Sequence, residues 1–257
     1  MRLTVGMPSY NNFAEVFFTV QALRMYQNMY DTEILIVDNY GKDPMLENFV
    51  KGQGAGQVRY EKYTECTGPA NAKNAVFDLA KGEMVMCMDS HVMLMPGALD
   101  EIKPTDDLVQ GPLMYNDLKN FCLEWKPEWR GHMWGIWGDT VQTLPNEPKD
   151  IWGMGMGLFM TSKSGWLRFN AKCRGFGGAE EGIIHEKYRQ HGRRVICDPR
   201  LAWIHHFDRP IPYPLNLIDR VINYIISFEE IGLSTTPIME HFGAQMFNSA
   251  MLEARKR

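Results

Sequence analysis

The chain has 257 residues, 45% of them hydrophobic and 23% charged, with a formal net charge of -4, which suits one large α/β domain or two small ones. That charge argues against a protein that grips nucleic acid over its whole surface, and the lack of any run of 18 apolar residues argues against a membrane span. The opening Met1–Pro8 is too short and too soon broken for a signal peptide, and five scattered cysteines without a C-x-x-C pair fit reduced thiols, so a cytoplasmic setting is expected. The first predicted strand is Leu3–Met7, followed by a turn at Pro8-Ser9-Tyr10-Asn11-Asn12. Asn12 and Glu15 read as a capping box ahead of Phe13, Val16, Phe17, Val20 and Leu23 at helical spacing. Glu33–Val37 is nearly all apolar, as in a parallel sheet covered on both faces, and ends in Asp38-Asn39. A glycine-rich loop at Gly52–Gly56 and a third strand at Val58–Tyr60 follow. Ala72, Ala75, Val76 and Leu79 make the apolar face of a helix from about Ala70, with Gly82 as its stop. Glu83–Met88 is the next strand, and the whole order predicts a doubly wound parallel half.

Beyond residue 96 the pattern changes. Asp107–Gln110 is a predicted strand. Trp125, Trp129, Trp134 and Trp137, interspersed with Gly131, Gly135 and Gly138, show no periodicity and read as a long binding loop that could stack on a ligand. Gly153–Thr161 starts flexible and ends as a strand. Glu180 to Gln190 reads as a helix stopped near Gly192, and Arg194–Cys197 as a strand. Pro210, Pro212 and Pro214 mark a linker. Ile218, Val221, Ile222, Ile225 and Phe228 form one helical stripe, and Arg255-Lys256-Arg257 a frayed tail.

Asp89-Ser90-His91 carries the strongest chemical signal. It closes the apolar run Met84–Met88, and residues i and i+2 of an extended segment point to one side. A carboxylate and an imidazole there can share a divalent ion, at the strand end where open α/β sheets bind ligands. His205 and His206, also after an apolar stretch, supply the third ligand, with one of the two expected to be a hydrogen-bonded bystander. Asp38 at its strand end either accepts from a nucleobase or ribose, or caps a turn. Glu180 and Glu181 follow Gly175-Phe176-Gly177-Gly178-Ala179 and either bind hydroxyls and act as base, or begin a helix. Lys73 and Asn74 either reach a nucleotide or sit in solvent.

These pieces occur together in the order found in glycosyltransferases of the GT-A fold. Met7-Pro8-Ser9-Tyr10-Asn11 resembles the opening of family 2 enzymes, Asp38 their uracil-contacting aspartate, and Ala70–Gly82 their Ala-(Arg/Lys)-Asn helix. Asp-Ser-His in place of Asp-x-Asp makes the specific likeness one to the catalytic domain of polypeptide N-acetylgalactosaminyltransferases. Met156-Gly157-Leu158-Phe159, Gly177–Glu181 and Arg200 through His205-His206-Phe207 are similar to later motifs of that group. The second of these lacks the group's tryptophan and replaces its asparagine by glutamate.

The resemblance implies an α/β GT-A (Rossmann-like) domain with a mixed, mainly parallel sheet. The catalytic domain would span residues 1–210, with a nucleotide-binding half at 1–95 and an acceptor half at 96–210. A C-terminal helical extension would span 211–257. It implies sugar transfer from a nucleotide-sugar donor, most often UDP-linked, to a hydroxyl on a protein, peptide or glycan. Pro8, Ser9, Tyr10, Asn11, Asp38, Lys73, Asn74, Ser90 and Gly157 would contact the donor. Asp89, His91 and His205 (or His206) would hold Mn²⁺ or Mg²⁺, with imidazole favouring Mn²⁺. Glu180 and Glu181 would be the catalytic carboxylates. Likeness to the polypeptide enzymes implies retention, whereas an inverting enzyme would use one of these glutamates as base. A hydroxymethylated base of viral DNA is an alternative acceptor, with Arg168, Lys172 and Arg174, or Arg189, Arg193 and Arg194, as basic contacts. A phosphohydrolase on the same metal ligands, or an idle sugar-nucleotide-binding module, are the rival classes.

Overall fold

Four strands near the N-terminus set the frame. Leu3–Ser9 pairs in parallel with Thr32–Asp38 and with Met84–Met88, and Val58–Lys62 extends the sheet beyond Thr32–Asp38. Every residue of Thr32–Asp38 and of Met84–Met88 is buried, as their unbroken apolar runs require once helices cover both faces. The computed structural model describes residues 1–53, 57–65, 67–178 and 180–257. Gly54, Ala55 and Gly56 of the predicted glycine-rich loop, together with Cys66 and Ala179, lie outside the described residues.

The sheet continues in antiparallel fashion through Leu158–Ser162 to Leu108–Gln110, then Val195–Cys197 and Lys149–Asp150. The result is one eight-stranded sheet in which four of the seven pairings among the described residues are parallel. A second sheet joins Thr140–Val141, Phe121–Cys122, Leu113–Met114, Trp203–His205 and Val92–Leu94. Its antiparallel pair Trp203–His205 and Val92–Leu94 sets His205 opposite Val92, next to His91.

Seven helices complete the chain as described: α1 (Phe13–Tyr26), α2 (Pro44–Lys51), α3 (Pro69–Leu79), α4 (Ile183–Gln190), α5 (Leu217–Glu230), α6 (Thr236–Phe242) and α7 (Ala244–Ala254). Helix α2 was not expected, although Asp43-Pro44 carries its signal. The Asp43 carboxylate accepts from the N–H of Met45 and Leu46, and proline occupies the first turn. Helix α3 lies so close to strand Leu3–Ser9 that a Cβ on Gly6 would meet a Val76 methyl at 2.2 Å. Burying Val76 completely there contributes about 1.5–3 kcal/mol.

Several expectations are corrected. The first strand runs to Ser9, so Pro8 and Ser9 are strand residues and not turn. Asn12 makes no side-chain cap to α1, because its amide is turned toward the Asp89-Ser90-His91 segment. Helix α3 ends at Leu79 with Ala80 as C-cap. Gly82 serves close packing instead, since a Cβ there would stand 2.4 Å from the Thr4 backbone nitrogen.

The tryptophan stretch is a hairpin, Trp125–Arg130 with Met133–Trp137, turning at Gly131 (φ 57). A register shift between Trp134 and Ile136 breaks the alternation that would have revealed it. Trp129 packs on Tyr224, Phe228, His241 and Phe242 of the C-terminal helices. Helix α4 begins at Ile183 and not at Glu180. The stripe on α5 is buried from Val221 onward, with Ile218 half-buried, and two further helices follow it. The tail is held by an ion pair of Arg257 with Asp219.

His185, fully buried on α4, ties this helix to the sheet. Gln110 donates its amide to the carbonyls of Gly155 and Leu158, and its Oε1 lies 2.7 Å from His185 Nε2, toward which the Met154 N–H is also directed at 3.2 Å. Nδ1 accepts from the N–H of Gly182 at 3.0 Å. Burial pushes the imidazole down to about 3, with Arg189 adding to the effect. As pH falls below the ordinary 6.5 the unfolded chain takes up a proton that the folded chain refuses, so stability present above that value is lost toward pH 3. We predict that the urea midpoint of the wild type falls more steeply between pH 6.5 and pH 4 than that of His185→Gln. Parallel pH profiles would refute this assignment.

Candidate active site

A cleft of about 400 Å³ opens at the carboxyl ends of strands Leu3–Ser9 and Met84–Met88. Pro8, Ser9, Tyr10, Lys73, Asp89, Ser90, His91, Gly157, Glu180, Glu181 and His205 line it. Of the expected site residues, Asn11, Asp38 and Asn74 do not. Asn11 is exposed at the strand end with φ 49. Asp38 is 0% exposed. One of its oxygens accepts from the N–H of Tyr40 and Gly41 and the other from the Tyr60 hydroxyl. Asp38 thus caps the Tyr40–Gly41 turn, and its neighbour Asn39 stands in the cleft wall. Asn74 is buried, bonded to both backbone groups of Phe169 and to the Trp166 indole.

Asp89, His91 and His205 converge. Their ligand atoms all lie within 4.8 Å of one another. The Nε2 atoms of His91 and His205 are 3.0 Å apart, and each is 3.8 Å from Asp89 Oδ2. Ligand atoms about 2.1 Å from one ion and at right angles lie about 3 Å apart. The two imidazoles already have that spacing, and the carboxylate is within a small rotation of it. His206 is exposed, and only its backbone bonds to His91. Gly157 makes the approach of His205 possible, since a Cβ there would lie 2.9 Å from Trp203 and 3.3 Å from His205. Burial, helped by His205, Arg209 and Lys73 against the pull of Asp89, pushes His91 down to about 3. It is therefore neutral near pH 7, with a lone pair to offer. Arg209 donates to His91 Nε2 at 2.6 Å, and a cation and this guanidinium cannot both take that lone pair.

Lys73 is 3% exposed and sits between two carboxylates. It bonds Glu180 at 2.5 Å and the Met156 carbonyl at 2.9 Å, and lies 3.5 Å from Asp89. It does not reach into solvent, because a buried ammonium keeps its charge only where carboxylates surround it. Burial would lower Lys73, but Asp89 and Glu180 together hold it well above the usual lysine range. One ammonium cannot satisfy the buried Glu180 and the half-buried Asp89 equally. Burial would raise Asp89, but Lys73 and the nearby His205 and His91 hold it far below the carboxylate range. Burial raises Glu180 to about 7 despite Lys73, with Glu181 and Asp89 adding to the rise.

The proline-spaced segment was read as a linker but forms a wall. Phe207, Arg209, Ile211, Tyr213 and Leu215 all line the cleft. They are alternate residues, as an extended chain with prolines on its other side requires. Tyr213 stacks on Phe176 with centroids 3.7 Å apart. Of the tryptophans in the hairpin, Trp125 lines the cleft, while Trp129 and Trp134 pack on the C-terminal helices. The basic residues considered for DNA are largely engaged, Arg168 with Asp78, Arg189 with Glu186 and Arg194 with Asp150.

Residues 4–130 match the model of glycosyl transferase family 2. GalNAc-T7, solved with UDP, GalNAc and Mn²⁺, superposes with a TM-score of 0.68 at 16% identity over 89% of this chain and 48% of that one. The chain has a family 2-like GT-A fold. This GT-A chain also superposes on the mannosyltransferase PcManGT from Pyrobaculum calidifontis in complex with GDP-Man and Mn²⁺ (TM-score 0.58, 17% identity, 98% of this chain and 73% of that one). S. aureus TarS 1-349 in complex with UDP-GlcNAc gives a TM-score of 0.60 at 12% identity, over 98% of this chain and 72% of that one. The GT-A chain spans about half the length of the GalNAc-T7 chain. No curated protein matches it. Among the described residues no helix is long and apolar enough to cross a membrane.

The three converging side chains generate a prediction. His91→Ala lowers Mn²⁺ affinity more than about 100-fold, beyond the usual cost of losing an outer-shell partner, with the circular dichroism spectrum unchanged. His206→Ala binds as the wild type does. Titration followed by the Mn²⁺ electron paramagnetic resonance signal measures both, and equal affinities for His91→Ala and wild type would remove His91 from the ligand set.

Proposed function

We propose that the chain is a metal-dependent glycosyltransferase. It moves a sugar from a nucleotide-sugar donor, of the UDP-linked kind, to a hydroxyl on a protein, peptide or glycan. The observation that carries this reading is the meeting of Asp89, His91 and His205 at a strand-end cleft that also holds Glu180 and Glu181. Neighbours with the same fold that were solved with nucleotides, nucleotide sugars and Mn²⁺ support it.

The two neutral imidazoles and Asp89 would hold Mn²⁺ in preference to Mg²⁺. When bound, the metal would neutralise the charge that grows on a departing nucleoside diphosphate. The chain's own groups divide the remaining work. Lys73 keeps Asp89 ionised in a buried site. Pro8, Ser9, Tyr10 and Ser90 border the space next to the metal ligands and would contact the nucleotide, with Asn39 in the wall where Asp38 was expected. Glu180 binds a proton near neutrality, which suits exchange with a hydroxyl, and Glu181 stands beside it in the cleft wall. Arg209 through Leu215 cover the cleft and would keep water from the donor.

A panel of nucleotide sugars tests the reading. At least one is expected to bind with Mn²⁺ present, to lose that affinity in chelator, and to be slowly hydrolysed without acceptor. Calorimetry and release of nucleoside diphosphate provide the two readouts. Hydrolysis of simple phosphoesters with no nucleotide-sugar binding would instead identify a phosphohydrolase.

A further inference from the structure

We propose that Asn12 is a positioning residue that aims the Ser90 hydroxyl hydrogen at an oxygen of the nucleoside diphosphate, an inference that rests on the donor reading above. The hydrogen-bond directions follow from one backbone group. The Tyr10 N–H can only donate, so the Asn12 atom 3.2 Å from it is the carbonyl oxygen Oδ1. That oxygen can only accept, so the Ser9 hydroxyl, 2.7 Å away, donates to it. The other end of the amide is then Nδ2, which faces Ser90 Oγ at 2.5 Å. An amide nitrogen can only donate, so Ser90 Oγ accepts.

The Ser90 hydrogen must therefore point elsewhere. Among the described residues Ser90 Oγ bonds to Asn12 alone, and Ser90 borders the cleft between the metal ligands Asp89 and His91. Its backbone cannot swing to relieve this, because the buried Thr19 hydroxyl donates to the Ser90 carbonyl at 2.8 Å. The hydroxyl is left as a donor that cannot turn toward Asn12 and that borders the space beside the metal ligands. Such a donor in a low-dielectric cleft matches an anionic oxygen and mismatches a cation or another donor. Without Asn12 the hydroxyl is a free rotor that can accept as readily as donate.

Calorimetry on the full chain with Mn²⁺ and either UDP or GDP tests the proposal. Ser90→Ala is expected to weaken the better of the two nucleotides about tenfold, the usual loss of one hydrogen bond to a charged group. Asn12→Asp keeps the shape but turns the Ser90 partner into an acceptor, which captures the hydrogen. Its added charge also repels the nucleotide, but that repulsion acts whether or not Ser90 is present. The fold-loss caused by Asn12→Asp should therefore be at least about fivefold greater in the Ser90 background than in the Ser90→Ala background. Equal losses in the two backgrounds, or wild-type affinity in Ser90→Ala, would overturn it. If the wild type binds neither nucleotide, the donor reading itself has failed and this inference with it. If the wild type binds and the losses multiply, only this inference falls.

Discussion

The arrangement of the cleft depends on one buried ammonium. Lys73 comes from α3, Asp89 from the end of a parallel strand and Glu180 from the glycine-rich turn before α4. The first two are consecutive along the chain, and Glu180 is brought to them from the far half of the sequence. Removing one partner of such a cluster leaves an uncompensated buried charge, at a cost of about 3–5 kcal/mol. The cluster thus does more than hold charge: it keeps the turn bearing Glu180 and Glu181 against the strand end that bears Asp89. The same imbalance of one cation and two carboxylates gives Asp89 and Glu180 opposite proton affinities within a few ångströms.

Glycines set how closely the parts can meet. A Cβ on Gly68 would stand 2.2 Å from the Gly175 carbonyl oxygen, so the start of α3 and the loop leading to Glu180 touch backbone to backbone. At Gly68 φ is 132, a conformation that other residues rarely adopt. Gly157 makes room in another way, by admitting the rings of Trp203 and His205 from the second sheet. The cleft is a meeting of backbones first, and its side chains are placed by that contact.

Local physics made much of this legible. Apolar runs bounded by polar residues marked the parallel strands, and Asp89 with His91 could be paired because period-two geometry needs no tertiary information. The place after an apolar strand offers His205 and His206 alike, and only the resemblance favours His205. What escaped was whatever a distant partner decides. Asn12 carries a strong capping pattern, yet Ser90, 78 residues away, takes its amide. Asp38 and Asn39 are adjacent strand-end polar residues, and the demands of the Tyr40–Gly41 turn decide which of them faces the cleft. The tryptophan hairpin depends on α5 and α6 for its far side, so its own sequence shows a bulged and uneven pattern. The buried Lys73 could not be anticipated, because a lysine reads as solvent-facing until its two carboxylates are in place.

His91 and His205 are 114 residues apart, and antiparallel pairing of two three-residue strands is what unites them. An unfolded chain offers only the isolated Asp89-x-His91 fragment, so a divalent ion would bind the native state almost alone. By mass action such an ion stabilises the folded chain by about 2.7 kcal/mol at a free concentration one hundred times its dissociation constant. A metal bound there would thereby also be a clasp: it would join the end of the strand Met84–Met88 to the region just before the C-terminal helices, and its occupancy would set how firmly the whole molecule resists heat and proteolysis.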